Sequence, residues 1–374
     1  MTTCLCLARF ELMIDCNVAV SGLNSTDDPG TGIAVIRSIK DSGQWTGKII
    51  GLAYDALDTG LYDKNLLDEV YLLPYLFNSE ALWQRLKDIT QKTRIDVLIP
   101  LLDLELLNLP IIEPSLKELG INLLLPPIHK IKTHLKLNLA DFCQENGVKY
   151  PRQDVVTHPA WIASSIRQLG TPVVVKGVVH GSHIAYSAEE ATIYFNRIKR
   201  RKVFAEMSWG IPVIIQEYIW GEEYNIDCLT DREGKLIGAV AMRKLSVTEK
   251  GKAWSGVTVN DEKLLSLSQE IIRKLSWVGP IELEFVKQQG SGDYYLLEIN
   301  PRFGTWIYLA ANAGQNLPLA AIQIAMGQKV EPFPSYQAGL MFIRYNLDMI
   351  CPIEYMASLT ATGELKLNEE KSRS

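Results

Sequence analysis

The sequence predicts an α/β chain that changes character along its length: an open parallel sheet first, then α+β structure built on antiparallel hairpins. Short apolar runs alternate with amphipathic segments between Asn17 and Pro100, the pattern of strands joined by helices. Farther on, Tyr224–Leu229 and Leu236–Arg243 are separated only by a turn at Asp231–Gly234, so strand now follows strand. With 374 residues, 47% hydrophobic and 22% charged, there is chain for two or three soluble domains.

Asn17–Ser21 (NVAVS) is a short apolar strand, Gly22–Gly32 a loop and Ile33–Lys40 an amphipathic helix. Lys48–Tyr54, Leu82–Lys92 and Ile95–Pro100 read as strand, helix and strand. Open parallel sheets bind ligands beyond the carboxyl ends of their strands, here Ser21–Asn24 and Leu101–Glu105. The Gly22–Gly32 loop is not GxGxxG and does not read as a dinucleotide fingerprint. Asp103 and Glu105 either meet a substrate amine or cap the helix that follows. A boundary is expected near Pro126–Lys130. Leu135–Asn146 is a helix stopped by Gly147, with Lys136 in its first turn. A Lys there opposes the helix dipole, which makes sense if it faces a bound anion; an exposed Lys is the plain alternative.

Val173–Lys176 is a strand ending in Lys, and Gly177–Ser182 (GVVHGS) is a small loop able to close its N–H groups over an anion. Val213–Tyr218 is another strand. The polar stretch Lys244–Gly256 is expected to be a mobile loop, Asp261–Leu275 a helix, and Trp306–Gly314 and Leu317–Met326 apolar core helices. Glu364–Ser374 is polar and expected to fray. A net charge of −5 gives no reason to expect nucleic acid or a membrane surface. Six cysteines without a CxxC pair suggest free thiols rather than zinc or disulfides. No signal peptide and no transmembrane run is read, so a cytoplasmic protein is expected.

The chemistry concentrates in Gly279–Thr305. Glu282 and Glu284 share one face of a strand, and Glu298 and Asn300 share one face of the next. If the hairpin is regular about Ser291, Glu284 opposes Glu298 and Glu282 opposes Asn300. Carboxylates that close tolerate burial only with a proton or a cation between them. Carboxylates beside an amide suit Mg²⁺, which completes its shell with water and phosphate oxygens. A solvated hairpin with surface acids is the plain alternative, and Leu296, Leu297 and Ile299 argue against it. Arg302 could hold an anion by a bidentate contact.

The order of these parts, and above all LLEINPRFG at 296–304 with Glu284 fourteen residues before Glu298, resembles the ATP-grasp superfamily, in its carbamoyl-phosphate synthetase and carboxylate–amine ligase branch. The resemblance covers about Asn17–Gly327. It implies a Rossmann-like pre-ATP-grasp domain over 1–127, followed by a two-part ATP-grasp domain: a small subdomain over 128–219 and a large subdomain with a C-terminal tail over 220–374. It implies ATP and Mg²⁺ (or Mn²⁺), with metal ligands Glu284, Glu298 and Asn300, and Glu282 as an extra ligand or near neighbour. It places nucleotide lysines at Lys136 and Lys176, an adenine hinge at Gln216, Glu217 and Ile219, and a ribose carboxylate at Glu223. Arg243 and Arg302 match arginines directed toward the transferred phosphate or the substrate carboxylate. Two departures stand out: Leu135 where Asp often precedes the first Lys, and His180 and His183 where small residues are usual. More often such histidines simply pack. The implied reaction is ADP-forming ligation of a small carboxylate to an amine, an amino acid or peptide among the options, through an acyl phosphate. Carboxyphosphate chemistry and a non-catalytic nucleotide-binding role are the alternatives, the former ranked lower because the chain is expected to be too short to add a biotinyl or glutaminase domain. A homodimer is within what the resemblance admits.

Overall fold

The structure is a computed structural model that describes residues 13–25, 29–75, 78–133, 138–178, 181–200, 212–248 and 251–368. Lys136 and His180 lie outside these residues.

The N-terminal part comprises β1 (Ile14–Asp15), β2 (Val18–Val20), α1 (Gly32–Lys40), β3 (Trp45–Thr46), β4 (Ile49–Ala53), β5 (Glu69–Leu72), α2 (Ser79–Thr90), β6 (Val97–Ile99) and α3 (Asp103–Glu118). Strands β5, β4, β2 and β6 run parallel in that order. Every residue of β2, β4 and β6 is buried, as expected of parallel strands covered by helices on both faces. Helix α1 turns Val35, Ile36 and Ile39 into this core, and Asn78 caps α2 by accepting the N–H groups of Glu80 and Ala81.

The next part comprises α4 (Ile128–Thr133), α5 (Leu139–Asn146), β7 (Gln153–Val156), α6 (Ile162–Leu169), β8 (Val173–Gly177), β9 (Ser182–Ala185), α7 (Ala188–Lys199) and β10 (Val213–Glu217). Its antiparallel sheet runs β7-β10-β8-β9. One face, with Val173, Val175, Val213 and Ile215, packs under Ile162 of α6 and Phe195 of α7. The other carries Val174, Lys176, Ile214 and Gln216, as pairing across β8 and β10 requires. The GVVHGS segment runs from the end of β8 to the start of β9 with residues 179 and 180 outside the described residues, and the Gly177 N–H donates to the Gly181 carbonyl at 2.9 Å.

The last part holds β11 (Gly221–Thr230), β12 (Leu236–Val247), β13 (Ala253–Thr258), α8 (Glu262–Leu275), β14 (Gly279–Gln288), β15 (Tyr294–Asn300), α9 (Ile307–Asn312), α10 (Leu317–Ala325), β16 (Met341–Ile343), α11 (Ile353–Thr362) and β17 (Glu364–Lys366). Six strands form an antiparallel sheet in the order β15-β14-β11-β12-β13-β16. Helices α9 and α10 pack on α1 in a shared core, and the Asn316 amide donates to the Ser38 carbonyl.

Two expectations are corrected here. Lys244–Gly256 is not a loop: β12 runs to Val247, and β13 begins at Ala253 and pairs back onto it. The polar residues that suggested a loop belong to strands with irregular register, shifted on both sides of Ser246. Nor do Glu364–Lys366 fray, while residues 369–374 of that stretch lie outside the described residues. Strand β17 pairs antiparallel with β5, Leu365 opposite Val70, so the C-terminal strand completes the N-terminal sheet. Arg85 fastens it by donating to the Gly363 carbonyl and Glu364. Among the described residues no helix is long and apolar enough to cross a membrane.

Candidate active site

The β14–β15 hairpin places Glu284 opposite Glu298 and Glu282 opposite Asn300. It does so by an unexpected route. Near the turn the pairs are Lys287 with Tyr294 and Phe285 with Leu296, a register one residue short of symmetry about Ser291. A bulge at Leu297 restores the difference, so all four polar side chains share one face. Strand β11 sets Asn225 against Glu284 and Asp227 against Glu282 on that same face.

Glu282 is the buried anchor of this surface. Asn225 and Trp306 donate to its Oε1 at 2.7 and 2.9 Å, and Asn300 donates to its Oε2 at 3.1 Å. Asn300 also donates to Glu284 at 3.0 Å. Below it, the Gly304 N–H donates to Asp227 at 2.7 Å. A Cβ at Gly304 would stand 2.3 Å from Glu282 Oε1, which explains a glycine at the end of INPRFG.

The electrostatics separate these acids. Burial pushes Asp227 well above the usual carboxylate range, and Glu282 opposite adds to it. Burial and neighbouring Glu284 raise Glu282 as well. Burial would also raise Glu284, but Lys244, Arg302 and Lys176 together reverse the sign and hold it below its ordinary value. Lys244 went unnoticed in the sequence because it sits in the supposed loop. Its Nζ lies 2.8 Å from Glu223 and 3.2 Å from Glu284, and only 5% of its side chain is exposed.

Arg302 joins this face to the N-terminal sheet. Its Nε lies 3.3 Å from Asp103 in the first turn of α3, and its Nη1 lies 3.7 Å from Glu282 and donates to the Phe303 carbonyl at 3.0 Å. Glu105 has the capping role of the two considered. Its carboxylate accepts from the Leu101 and Leu102 N–H groups, Ser21 and Tyr54, which ties the ends of β2, β4 and β6 together.

The remaining candidates divide. Lys176 is buried on the small sheet, close enough to help hold down Glu284 on the large one. Gln216 is buried, and its Nε2 makes no hydrogen bond among the described residues. The Glu217 carboxylate turns away to Arg152 with contacts of 2.9 and 3.1 Å, and Ile219 follows in the half-buried loop. Glu223 faces Lys244. Arg243 does not join the cluster: it pairs with Tyr224, on the opposite face from Lys244, and donates to Glu222 at 2.6 Å. His183 stacks on Tyr194 with ring centroids 4.6 Å apart, a packing role. A second missed residue is Arg344. Its Nη2 donates to the Thr305 carbonyl at 2.7 Å, and among the described residues its Nε has no hydrogen-bond partner and no carboxylate offsets the burial that lowers its pKa.

Among the described residues, no group of three or more His, Cys, Asp or Glu side chains forms a ready metal cage. Mg²⁺ takes one or two carboxylates and leaves the rest of its shell to phosphate and water. Glu284, Glu298 and Asn300 supply hard oxygens on adjacent strands, and the buried Lys244 ammonium shows that this face accommodates positive charge. The residues fit the ion.

A family model described as "ATP-grasp in the biosynthetic pathway with Ter operon" matches residues 211–345, a stretch that includes the whole hairpin, Lys244 and Arg344. Over this stretch the chain is similar to an ATP-grasp family. The carbamoyl phosphate synthase large chain of Caldanaerobacter subterraneus subsp. tengcongensis is 27% identical over 183 residues, 46% of this chain but only 16% of that much longer relative. The L-amino acid ligase of Bacillus licheniformis shares the fold with a TM-score of 0.61 at 16% identity, covering 84% of this chain and 75% of that one. So does the biotin carboxylase domain of the Hydrogenobacter thermophilus 2-oxoglutarate carboxylase, solved with MgADP, ADP and bicarbonate: its TM-score is 0.62 at 17% identity, over 84% of this chain and 70% of that one.

Proposed function

We propose that the chain is an ATP-dependent carboxylate–amine ligase that forms an amide or peptide bond and releases ADP and phosphate. The observation that carries this reading is the opposed pair Glu284 and Glu298 with Asn300 beside it, flanked by Lys244 and, from the other antiparallel sheet, by Lys176. Anionic oxygens and ammonium groups so arranged suit a triphosphate lying between the two sheets, with Gln216, Glu217, Ile219 and Glu223 at the nucleoside end.

In the first step a substrate carboxylate oxygen attacks the γ-phosphorus and ADP leaves. In the second an amine attacks the acyl carbon, phosphate leaves with that oxygen, and the amine gives up a proton. Glu284, Glu298 and Asn300 would hold Mg²⁺ (or Mn²⁺), which would supply charge neutralisation for the phosphates. The chain's own work is positioning and electrostatic. Lys244 and Lys176 offset charge on the phosphates. Arg302, held by Asp103, orients an anion at the hairpin's end. Arg344 is a half-buried guanidinium beside Thr305 with no counter-ion among the described residues, and it suits the carboxylate of the acid substrate. Lys136 belongs to the same proposal on the strength of the resemblance alone. The substrates are small molecules, amino acids or peptides first among them, in a cytoplasmic setting.

The similarity to carbamoyl phosphate synthase favours one second reading, activation of bicarbonate as carboxyphosphate. ADP release with MgATP across a panel of amino acids, small acids, peptides and bicarbonate separates the two. Release that requires one acid and one amine supports ligation, and release with bicarbonate alone supports the second. Binding of ATP with no release under any condition leaves a non-catalytic nucleotide-binding protein and ends the ligase proposal.

A further inference from the structure

We propose that β16 is a homodimer interface, with two copies pairing their β16 edges antiparallel about a twofold axis to join two six-stranded sheets into one. Strand β16 is the outermost strand of its sheet, and among the described residues nothing pairs with its far side. The Leu340 carbonyl and the Arg344 N–H are used by β13, so even-numbered residues direct their backbone groups inward. The N–H and C=O groups of Met341, Ile343 and Tyr345 therefore point outward.

Most edge strands are guarded against such pairing by charges, prolines or bulges. This one is not. Met341, Ile343, Tyr345, Leu347 and Ile350 are 52, 60, 75, 78 and 93% exposed. Between Met341 and Ile353 the only charged residues are Arg344 and Asp348, and Arg344 turns inward to Thr305. Phe342 packs against the core, so the strand is held in place while its apolar side stays open. Exposed apolar side chains gathered along one sheet edge in this way mark an interaction surface.

A second copy suits the edge better than a different protein, because the stretch carries almost no charge to address a foreign partner and is complementary to itself. Antiparallel pairing centred on Ile343 sets Ile343 against Ile343 and Met341 against Tyr345. Each pair joins outward-directed backbone groups and matches apolar with apolar.

Sedimentation of the full chain over about a hundredfold range of concentration reads the outcome by mass action. The expected result is a species of twice 42.0 kDa that the double substitution Ile343→Lys, Tyr345→Glu converts to a folded monomer. Amide exchange in the unsubstituted chain is a second measurement that does not depend on the variant folding: the Ile343 and Tyr345 N–H groups should slow as concentration rises. A wild-type monomer throughout, a variant that stays dimeric, or exchange indifferent to concentration would each overturn the interface.

Discussion

The Lys244 ammonium lies 3.2 Å from Glu284 Oε2, on a strand whose preceding residue, Arg243, faces the other side of the sheet. This contact is the strongest of those that, with Arg302 and Lys176, offset the burial of Glu284. Substituting Lys244→Met should lower turnover by about 10²–10³-fold. The pH profile should move with it. In the wild type Lys244, with Arg302 and Lys176, holds Glu284 below its ordinary value, which favours the ionised carboxylate. Without Lys244, burial acts with less opposition and the Glu284 value rises, so activity should fail at a higher pH on the acid side. Turnover against pH for the two proteins checks this; an unmoved acid limb would contradict it.

Arg243 makes the opposite prediction. It pairs with Glu222 away from the acids, so Arg243→Ala should leave turnover within about twofold of wild type. A large loss measured in steady-state kinetics would return Arg243 to the site.

Arg344 separates catalysis from stability. Arg344 is half-buried, donates to the Thr305 carbonyl and lies over the Phe342 ring, and no counter-ion meets it among the described residues, so Arg344→Met should change stability by no more than about 1 kcal/mol. If Arg344 receives the acid substrate, KM for that acid should still rise about tenfold or more. Denaturant melts and initial rates on one preparation decide. A coupled loss of stability and activity would mark the residue as structural.

The C-terminal strand offers a test of the fold. Leu365 is buried where β17 joins β5, so Leu365→Asp should destabilise the chain by on the order of 2–4 kcal/mol. Urea unfolding measures it, and an unchanged midpoint would show that β17 is dispensable.

What was legible in the sequence was local. The period-two spacing of Glu282 with Glu284 and of Glu298 with Asn300 put the acids on common strand faces without reference to the rest of the chain. Their pairing came out as expected although the hairpin centre was misplaced, because the Leu297 bulge, which nothing in the sequence signals, supplied the missing residue. Arg243 and Lys244 show the limit of such reading. One position moves a side chain to the other face of a sheet, and polar residues over an irregular register resemble a loop. Arg344 and β17 depend on contacts with distant parts of the chain. An arginine becomes a candidate only when its surroundings are seen to lack a counter-ion, and three residues pairing with a strand almost three hundred positions earlier carry no pattern of their own.

The most direct test of the central claim is the fate of a carboxylate oxygen. With the acid that supports ADP release labelled in its carboxylate with oxygen-18, the released phosphate should carry label when amine and MgATP are present, and Glu298→Ala should release none. Phosphate free of label during amide formation would contradict an acyl phosphate. So would undiminished turnover in Glu298→Ala, which would also remove the metal assignment on which the account rests.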